Sequence, residues 1–268
     1  STQTNVTVGY QALQLSISSD DIIEINNAKP IRISTTNLNG VEENTKGSFA
    51  IYKLKQPQKV FRNRLWAQAD RHSLSKEDYY KTFPNDLYAD ETNKYKWEKE
   101  SKILEKTFDT GSKKEYDLSA ELKSFTPGVY VIEANCKDKF GEDIKAFEYI
   151  TVFNKNSNII PEQVAEWFYY PKTKAEPGEK VDYILASGYQ NVNYLFEKEH
   201  LGKAASIKTI PASMKANELL VEEIHRGNFA FHTTFIKYNR IYTRNSIVTV
   251  PYTNKELDIQ FETFRNKL

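Results

Sequence analysis

The chain has 268 residues, and its 37 Lys and Arg against 36 Asp and Glu give a formal net charge of +1. This balance argues against nucleic acid and against an anionic membrane as partners, because both require a basic surface. Hydrophobic residues make up 39% and aromatic residues 13% of the chain, a composition that fills a core and favours strands over helices. A single cysteine excludes an intrachain disulfide, and no apolar run is long enough to span a bilayer.

The first half contains a predicted strand entry at residues 29–37 and continues into an insertion at about residues 60–118. Within the insertion, Ser75 is a candidate helix N-cap, Asp78 completes a pair resembling a capping box, and Pro84 ends a short helix. Residues 85–115 are rich in Asp, Glu, Lys and Tyr and show no clear period. We therefore interpret them as an irregular excursion over the surface.

A β-hairpin is predicted at the end of the first half. Residues 129–136 follow Thr126-Pro127-Gly128 and alternate between two faces, as strand residues do. Asp138-Lys139-Phe140-Gly141 forms the loop, with Gly141 free to take a positive φ. Residues 144–153 return as the partner strand.

The second half repeats these elements. Residues 177–185 loosely match the strand entry at 29–37. Residues 229–235 and 241–250 form a second hairpin around Tyr238-Asn239-Arg240. A repeat about as long as a sandwich domain predicts an all-β chain of tandem fibronectin-III- or immunoglobulin-like β-sandwiches, the first with a partly helical insertion.

The predicted modules are residues 8–154 and 155–252, with 253–268 as a linker or the first strand of a following module. The boundaries lie in short polar stretches near 154–158 and 251–254. Leu257, Ile259 and Phe261 alternate with polar residues, as a first strand would. Because the first five residues are polar with no signal-peptide pattern and the end follows a strand pattern, we expect a piece of a longer protein.

No residue pattern predicts a catalytic, cofactor or metal site. Cys136 lies on a strand with no histidine near it in sequence, so a buried structural cysteine is favoured over a nucleophile. The four histidines lack metal-pair spacing, and calcium-loop, phosphate-loop and G-x-S-x-G patterns are absent. Five carboxylates in the excursion could serve acid–base chemistry but are more typical of a solvated loop; they are Asp70, Asp78, Asp86, Asp90 and Glu91.

Aromatic residues are the candidate contact sites, either with a neighbouring module or with a partner. In the run Trp167-Phe168-Tyr169-Tyr170, Trp167 and Tyr169 share one face of a strand. A sugar-binding platform is one interpretation, and a core or module interface is the favoured one. Trp66 and Trp97 are expected to fix the excursion onto the sandwich, whereas an exposed pair would form a binding patch.

Several segments, in their order and spacing, resemble the macroglobulin-type (MG) domains of bacterial alpha-2-macroglobulins. The segments are Asn37-Leu38-Asn39-Gly40, Phe49 to Leu54, Arg64-Leu65-Trp66 with Asp70, Phe83 to Tyr88 with Glu91, Gly128-Val129-Tyr130, Asp138 to Gly141, and Pro251 to Leu257.

The resemblance implies seven-stranded sandwiches in a large exported protein that traps proteases, in the periplasm or anchored to the outer membrane at the cell surface. It also implies a bait segment and, in many members, a Cys-x-Glu-Gln thioester. Cys136 is followed by Lys137, Asp138 and Lys139, so it is not that cysteine. The fragment is then expected to be a non-enzymatic scaffold. Its partners would be neighbouring MG modules and, through the full-length protein, proteases.

Two further hypotheses stay open from the sequence. One is a carbohydrate-binding or adhesive sandwich pair from a bacterial surface protein, based on the Tyr, Phe and Trp content. The other is an enzyme such as a glycosidase, against which the missing motifs count.

Overall fold

The computed structural model describes residues 12–62, 64–68 and 70–253, and these residues lie mainly in four β-sheets. The chain divides into two compact units. Unit 1 comprises Ser1–Tyr169, Leu185–Val192 and Ala212–Lys215, and unit 2 comprises Tyr170–Ile184, Asn193–Pro211 and Ala216–Leu268. The module limits 8–154, 155–252 and 253–268 stay predictions, and residues 8–11 and 254–268, including the proposed start of a third copy, lie outside the described residues.

Eight strands form the first half of the described chain. They are β1 (Leu13–Ser18), β2 (Ile22–Glu24), β3 (Ile31–Asn37), β4 (Lys46–Leu54), β5 (Lys99–Asp109), β6 (Glu115–Tyr116), β7 (Gly128–Lys137) and β8 (Asp143–Phe153). One sheet has the order β1–β3–β6 and the other β2–β8–β7–β4–β5. Pairing is antiparallel except for β2 with β8.

The core of this half forms because each strand turns alternate side chains inward. Phe49, Ile51, Ile132 and Ile150 are almost completely buried in one apolar cluster, to which both sheets contribute. Burying a side chain of this size contributes roughly 1.5–3 kcal/mol. Cys136 belongs to the same cluster, and burial raises the pKa of its thiol, so the expectation that this cysteine is buried is confirmed.

A tyrosine fixes the entry to β7. The buried Tyr130 hydroxyl donates a hydrogen bond of 2.6 Å to the carbonyl oxygen of Thr126, four residues upstream. Its ring lies 5.0 Å from that of Phe125. This is the tyrosine-corner arrangement that recurs in immunoglobulin-like sandwiches, and it holds the chain where it enters the sheet.

The predicted hairpin of β7 and β8 is confirmed. The Asp138 carboxylate accepts hydrogen bonds from the backbone N–H groups of Phe140 at 2.8 Å and Glu142 at 2.9 Å. Gly141 has φ +88°, a conformation in which a Cβ atom would be strained.

The insertion is helical at one point and extended at another. Helix α1 (Lys76–Thr82) begins after Ser75, whose hydroxyl accepts the Asp78 N–H, and the helix stops before Pro84, as predicted. A short helix α2 (Ser119–Leu122) and a 3-10 turn (Lys94–Lys96) follow the irregular stretches.

The prediction of irregular structure for residues 85–115 is wrong for β5. This strand pairs with β4 over nine positions at the edge of its sheet. Most of its side chains are exposed and many are charged, which protects an edge strand from unwanted pairing. Register shifts opposite Ile51/Tyr52 and Lys53/Leu54 accompany this pairing. Because β5 is mostly polar, the alternation of its inward and outward side chains could not be recognised in the sequence.

Seven strands follow in the second half, counted up to residue 253, where the described chain ends. They are β9 (Trp167–Tyr169), β10 (Lys180–Ala186), β11 (Asn193–His200), β12 (Lys203–Pro211), β13 (Ser213–Leu220), β14 (Phe229–Lys237) and β15 (Arg240–Val248). The sheets have the orders β13–β10–β9 and β12–β11–β14–β15. When β2 is left out, β9 to β15 take the same places in their sheets as β1 and β3 to β8 take in theirs. The repeat predicted from the sequence is therefore confirmed as a repeat of topology.

The second hairpin also has the predicted form. Tyr238 and Asn239 connect β14 to β15 with φ angles of 47° and 56°, as the two-residue turns that match strand twist require. In unit 2, the rings of Tyr183, Phe196 and Phe231 pack with centroids 5.4–5.5 Å apart. The all-β sandwich fold is therefore as expected.

Candidate functional site

The four predicted contact residues lie in different environments. Trp66 is 68% exposed, so the expectation that it fixes the insertion is wrong. Trp167 is buried and Tyr169 half-buried. Both pack edge-on against the Phe153 ring, with centroids 5.0 and 4.6 Å away. Whether these residues contact a partner stays a prediction.

Trp97 holds the insertion in place, as expected. Its indole Nε1 donates a hydrogen bond of 2.7 Å to the Glu91 carbonyl oxygen. Its ring packs against the cluster of Leu54, Val129 and Val131 on the outer side of the sheet. The segment after the helix is thereby attached to the sandwich by one hydrogen bond and one apolar contact.

Beside Trp97 lies a cleft of about 490 Å³, which we call the lysine–aromatic cleft. Three segments line it: residues 55–59 with Phe61, the face of α1 that carries Lys76 and Tyr80, and residues 91 and 96–98. Its volume lies in the usual range for small-ligand sites, roughly 300–1,000 Å³. All of these residues belong to unit 1.

One wall of the cleft follows from a local rule, and tertiary contacts position the others. Lys76 and Tyr80 are four residues apart on α1 and therefore share a helix face. The Arg62 guanidinium forms two hydrogen bonds with the Asp86 carboxylate, at 2.6 and 2.5 Å. Arg64 donates to the carbonyl oxygens of Leu87 and Ala89. These contacts fix the chain on both sides of the helix, so the cleft does not depend on the short helix alone.

Glu91 is the central acid of the cleft. Its carboxylate accepts hydrogen bonds from the Tyr80 hydroxyl at 2.7 Å and the Ala89 N–H at 2.8 Å, and it lies 3.4 Å from Lys76 Nζ. Burial alone would raise the pKa of the Glu91 carboxyl. The hydrogen bonds and the Lys76 charge more than offset burial, so this pKa lies below its ordinary value. Glu91 is therefore a carboxylate at neutral pH.

Lys59 is the neighbouring base. Its Nζ lies 3.7 Å from the Tyr80 ring centroid and donates a hydrogen bond of 2.8 Å to the Pro84 carbonyl oxygen. Desolvation lowers the pKa of Lys59, and the nearby Lys76 lowers it further, while Glu91 acts in the opposite direction. Within the described part of the chain, no carboxylate oxygen lies within 4.0 Å of Lys59 Nζ.

The other two lysines of the cleft each have an acidic partner. Lys96 Nζ is 2.5 Å from the Asp90 carboxylate, and Lys55 Nζ is 3.8 Å from that of Glu98. With Lys76 paired to Glu91, the pairs cancel and Lys59 leaves one positive charge uncompensated. The cleft thus combines aromatic walls with one ammonium group available to an anion.

A second hollow, of about 620 Å³, is lined by residues 110–115 together with Pro30, Arg32 and Asp117. It has no aromatic wall among these lining residues, and Lys114 already pairs with Glu42 at 2.6 Å. We therefore take the lysine–aromatic cleft as the candidate site.

The remaining sequence candidates do not gather into one site, although the rings of His200 and His225 lie 5.7 Å apart. Asp78, Asp86 and Asp90 each pair with a different base, and Glu91 alone of the five predicted carboxylates lines the cleft. His225 is buried, and His232 lies between Glu199 and Asn245. Among the described residues, no three His, Cys, Asp or Glu are grouped as a metal site, and no helix has the length and apolarity to cross a membrane.

Sequence reasoning missed Lys59, Lys76 and Tyr80. The spacing of Lys76 and Tyr80 on a predicted helix was the one available signal. Lys59 lies 17 positions before Lys76 in the chain. No sequence pattern indicates that its ammonium group lies over the Tyr80 ring.

No protein-family model matches the sequence, and no curated protein matches it. Solved structures similar to the chain include trypsin-activated alpha-2-macroglobulin from Escherichia coli, at 10% identity and a TM-score of 0.31, covering 91% of this chain and 17% of that chain. A Ca²⁺-stabilized adhesin with which an Antarctic bacterium binds ice has 10% identity and a TM-score of 0.25, covering 90% and 49%. A tetra-tandem repeat in the extending region of a large adhesion protein has 11% identity and a TM-score of 0.24, covering 89% and 48%.

The chain thus spans about half the length of the two adhesin structures and 17% of the macroglobulin. At these TM-scores the similarities carry no argument about function. The fold follows from the strand orders of the chain itself.

Proposed function

We propose that the chain is a non-catalytic scaffold: two tandem β-sandwiches that space and hold neighbouring modules of a larger exported protein. The repeated strand order is the observation on which the proposal depends. Two copies of one folded unit, each with its own core, suit a mechanical role, because such modules can space and hold their neighbours without a reactive site.

The ordered sequence segments that resemble MG domains specify the parent within this proposal. It would be a bacterial alpha-2-macroglobulin-like inhibitor, located in the periplasm or anchored to the outer membrane, that traps proteases. Gly128-Val129-Tyr130, one of those segments, forms the tyrosine corner described above. The segment therefore has a structural task, as expected of a scaffold.

The test uses the full-length protein. It is incubated with trypsin, and residual activity is measured on a small chromogenic peptide and on casein. A trap that encloses the protease excludes casein by size but admits the peptide, so we expect casein hydrolysis to fall much more than peptide hydrolysis. Equal retention of both activities, or a parent protein with no further sandwich modules, would contradict the proposal.

A second candidate function is carbohydrate binding or adhesion, and the lysine–aromatic cleft is the observation that favours it. Sugar sites combine apolar ring surfaces with a few polar groups that fix orientation, and the cleft supplies Tyr80, Trp97 and Lys59. A glycan array with the intact chain tests this function. Binding to saccharides supports it, and a signal no higher than that of an unrelated sandwich domain contradicts it.

A further inference from the structure

We propose that the lysine–aromatic cleft binds a carboxylate-bearing sugar, the uronic-acid residue of an acidic polysaccharide, with the carboxylate at Lys59. The inference rests on the second candidate function, binding at the cleft. It does not depend on the macroglobulin assignment.

The charge of the cleft selects an anion. Glu91 pairs with Lys76 and also acts on Lys59, and it already accepts two hydrogen bonds besides its contact with Lys76. Lys59 has a neutral carbonyl and an aromatic face as partners. The ammonium already makes a charge-assisted hydrogen bond to that carbonyl, and a ligand carboxylate beside it would add an ion pair between two opposite charges.

The partial desolvation of Lys59 strengthens this attraction. Its Nζ lies over Tyr80 and 4.9 Å from the Phe61 ring centroid, and Phe61 is buried. Lys59 as a whole is exposed, so solvent partly screens this attraction, and the two rings exclude water from only part of its ammonium group. A carboxylate that binds there also cancels the repulsion between Lys59 and Lys76.

One uncompensated positive charge suits a carboxylate better than a phosphate. A phosphate monoester carries about −1.5 to −2 at neutral pH, so a second, unpaired base would be needed. The walls favour a sugar over a bare anion, because the half-buried Trp97 and Tyr80 side chains line the same cleft and make its wall partly aromatic. Gln58, also on the wall, supplies an amide for ring hydroxyls.

The experiment is a titration of the intact chain, followed by NMR chemical shifts and calorimetry, with trigalacturonate, a neutral gluco-oligosaccharide and a short peptide with a free C-terminus. The variant is Lys59→Met, which removes the charge and keeps a long apolar side chain beside Tyr80. The matched control is Lys155→Met, at an exposed lysine outside the cleft. Unchanged spectra elsewhere in each variant confirm that it folds.

We expect trigalacturonate to shift cleft resonances, with a Kd at least tenfold higher in Lys59→Met and unchanged in Lys155→Met. Equal binding of the neutral oligosaccharide at the cleft would overturn the acidic specificity while leaving carbohydrate binding intact. Binding of the peptide alone would overturn the sugar assignment. No shift with either saccharide would overturn both the inference and the second candidate function.

Discussion

Removing one hydroxyl tests how the first sandwich is held. In Tyr130→Phe the ring and its contact with Phe125 remain, but the Thr126 carbonyl loses the 2.6 Å hydrogen bond that Tyr130 donates. Leaving a buried acceptor unpaired costs about 1–3 kcal/mol. Thr126 is itself exposed, so water can partly replace the bond. We therefore expect a loss of about 1.5 kcal/mol in the free energy of unfolding.

Tryptophan fluorescence measures this loss selectively, because Trp66, Trp97 and Trp167 all belong to unit 1. With an m-value of about 1–3 kcal/mol/M in urea, the midpoint should fall by about 0.5–1.5 M at unchanged m. The matched control is Tyr149→Phe on the neighbouring strand, where the tyrosine hydroxyl makes no hydrogen bond to any described residue. A change below about 0.5 kcal/mol in Tyr130→Phe, or an equal change in the control, would refute the reasoning.

Three further changes follow from particular contacts. Gly47→Ala would place a Cβ 2.2 Å from the Asn135 carbonyl oxygen and 2.5 Å from Phe108 Cζ, so we expect the free energy of unfolding in urea to fall by about 1–3 kcal/mol. In the control Gly111→Ala, the new Cβ would lie 3.2 Å from the Asn44 side chain, and the loss should be far smaller. Trp97→Phe should destabilise unit 1 by about 1–2 kcal/mol in the same assay, because the Trp97 indole donates a hydrogen bond and its ring is packed. Trp66 is exposed, so Trp66→Phe should cost less than about 0.5 kcal/mol, and equal effects of the two variants would contradict this reasoning. Burial lowers the pKa of His225, whose neutral Nδ1 accepts a hydrogen bond of 2.9 Å from the Glu222 N–H. The free energy of unfolding should therefore fall as the pH drops below about 6.5, and it should fall less in His225→Asn. Circular dichroism in urea measures both profiles, and identical pH profiles would contradict a role for His225.

The hairpins could be predicted from the sequence because their signals are local. Gly141 and the Tyr238-Asn239 pair mark turns with positive φ, and alternating apolar residues on both sides give the strand period. Helix α1 was equally local, since Ser75 caps its start and Pro84 limits its end. Such elements need no information from distant parts of the chain.

Strand β5 could not be predicted, because its polar composition does not favour a strand and its extended conformation depends on pairing with β4. Its inward positions are Leu104, Lys106 and Phe108, and a lysine interrupts the apolar period. Lys106 is tolerated there because it pairs with the Glu121 carboxylate. Only the partner strand and that acid show that the segment is extended.

The cleft could not be predicted for a related reason. Trp66 and Trp97 were indistinguishable in sequence, yet one is exposed and the other packs against Leu54, Val129 and Val131. Lys59 acquires its character from rings and a carbonyl supplied by the insertion. A site built from three separate segments is defined by tertiary packing, and sequence periodicity does not report it.

Both halves share one strand order, and cross-strand NOEs measure this correspondence most directly. In the first half β4 lies between β5 and β7, so NOEs should connect Ala50 with both Glu105 and Glu133. In the second half β11 lies between β12 and β14, so NOEs should connect Glu197 with both Ile207 and His232. Both sets together are the predicted result. The first set without the second, or β11 paired with β15 in place of β14, would contradict the duplicated sandwich and the scaffold function proposed from it.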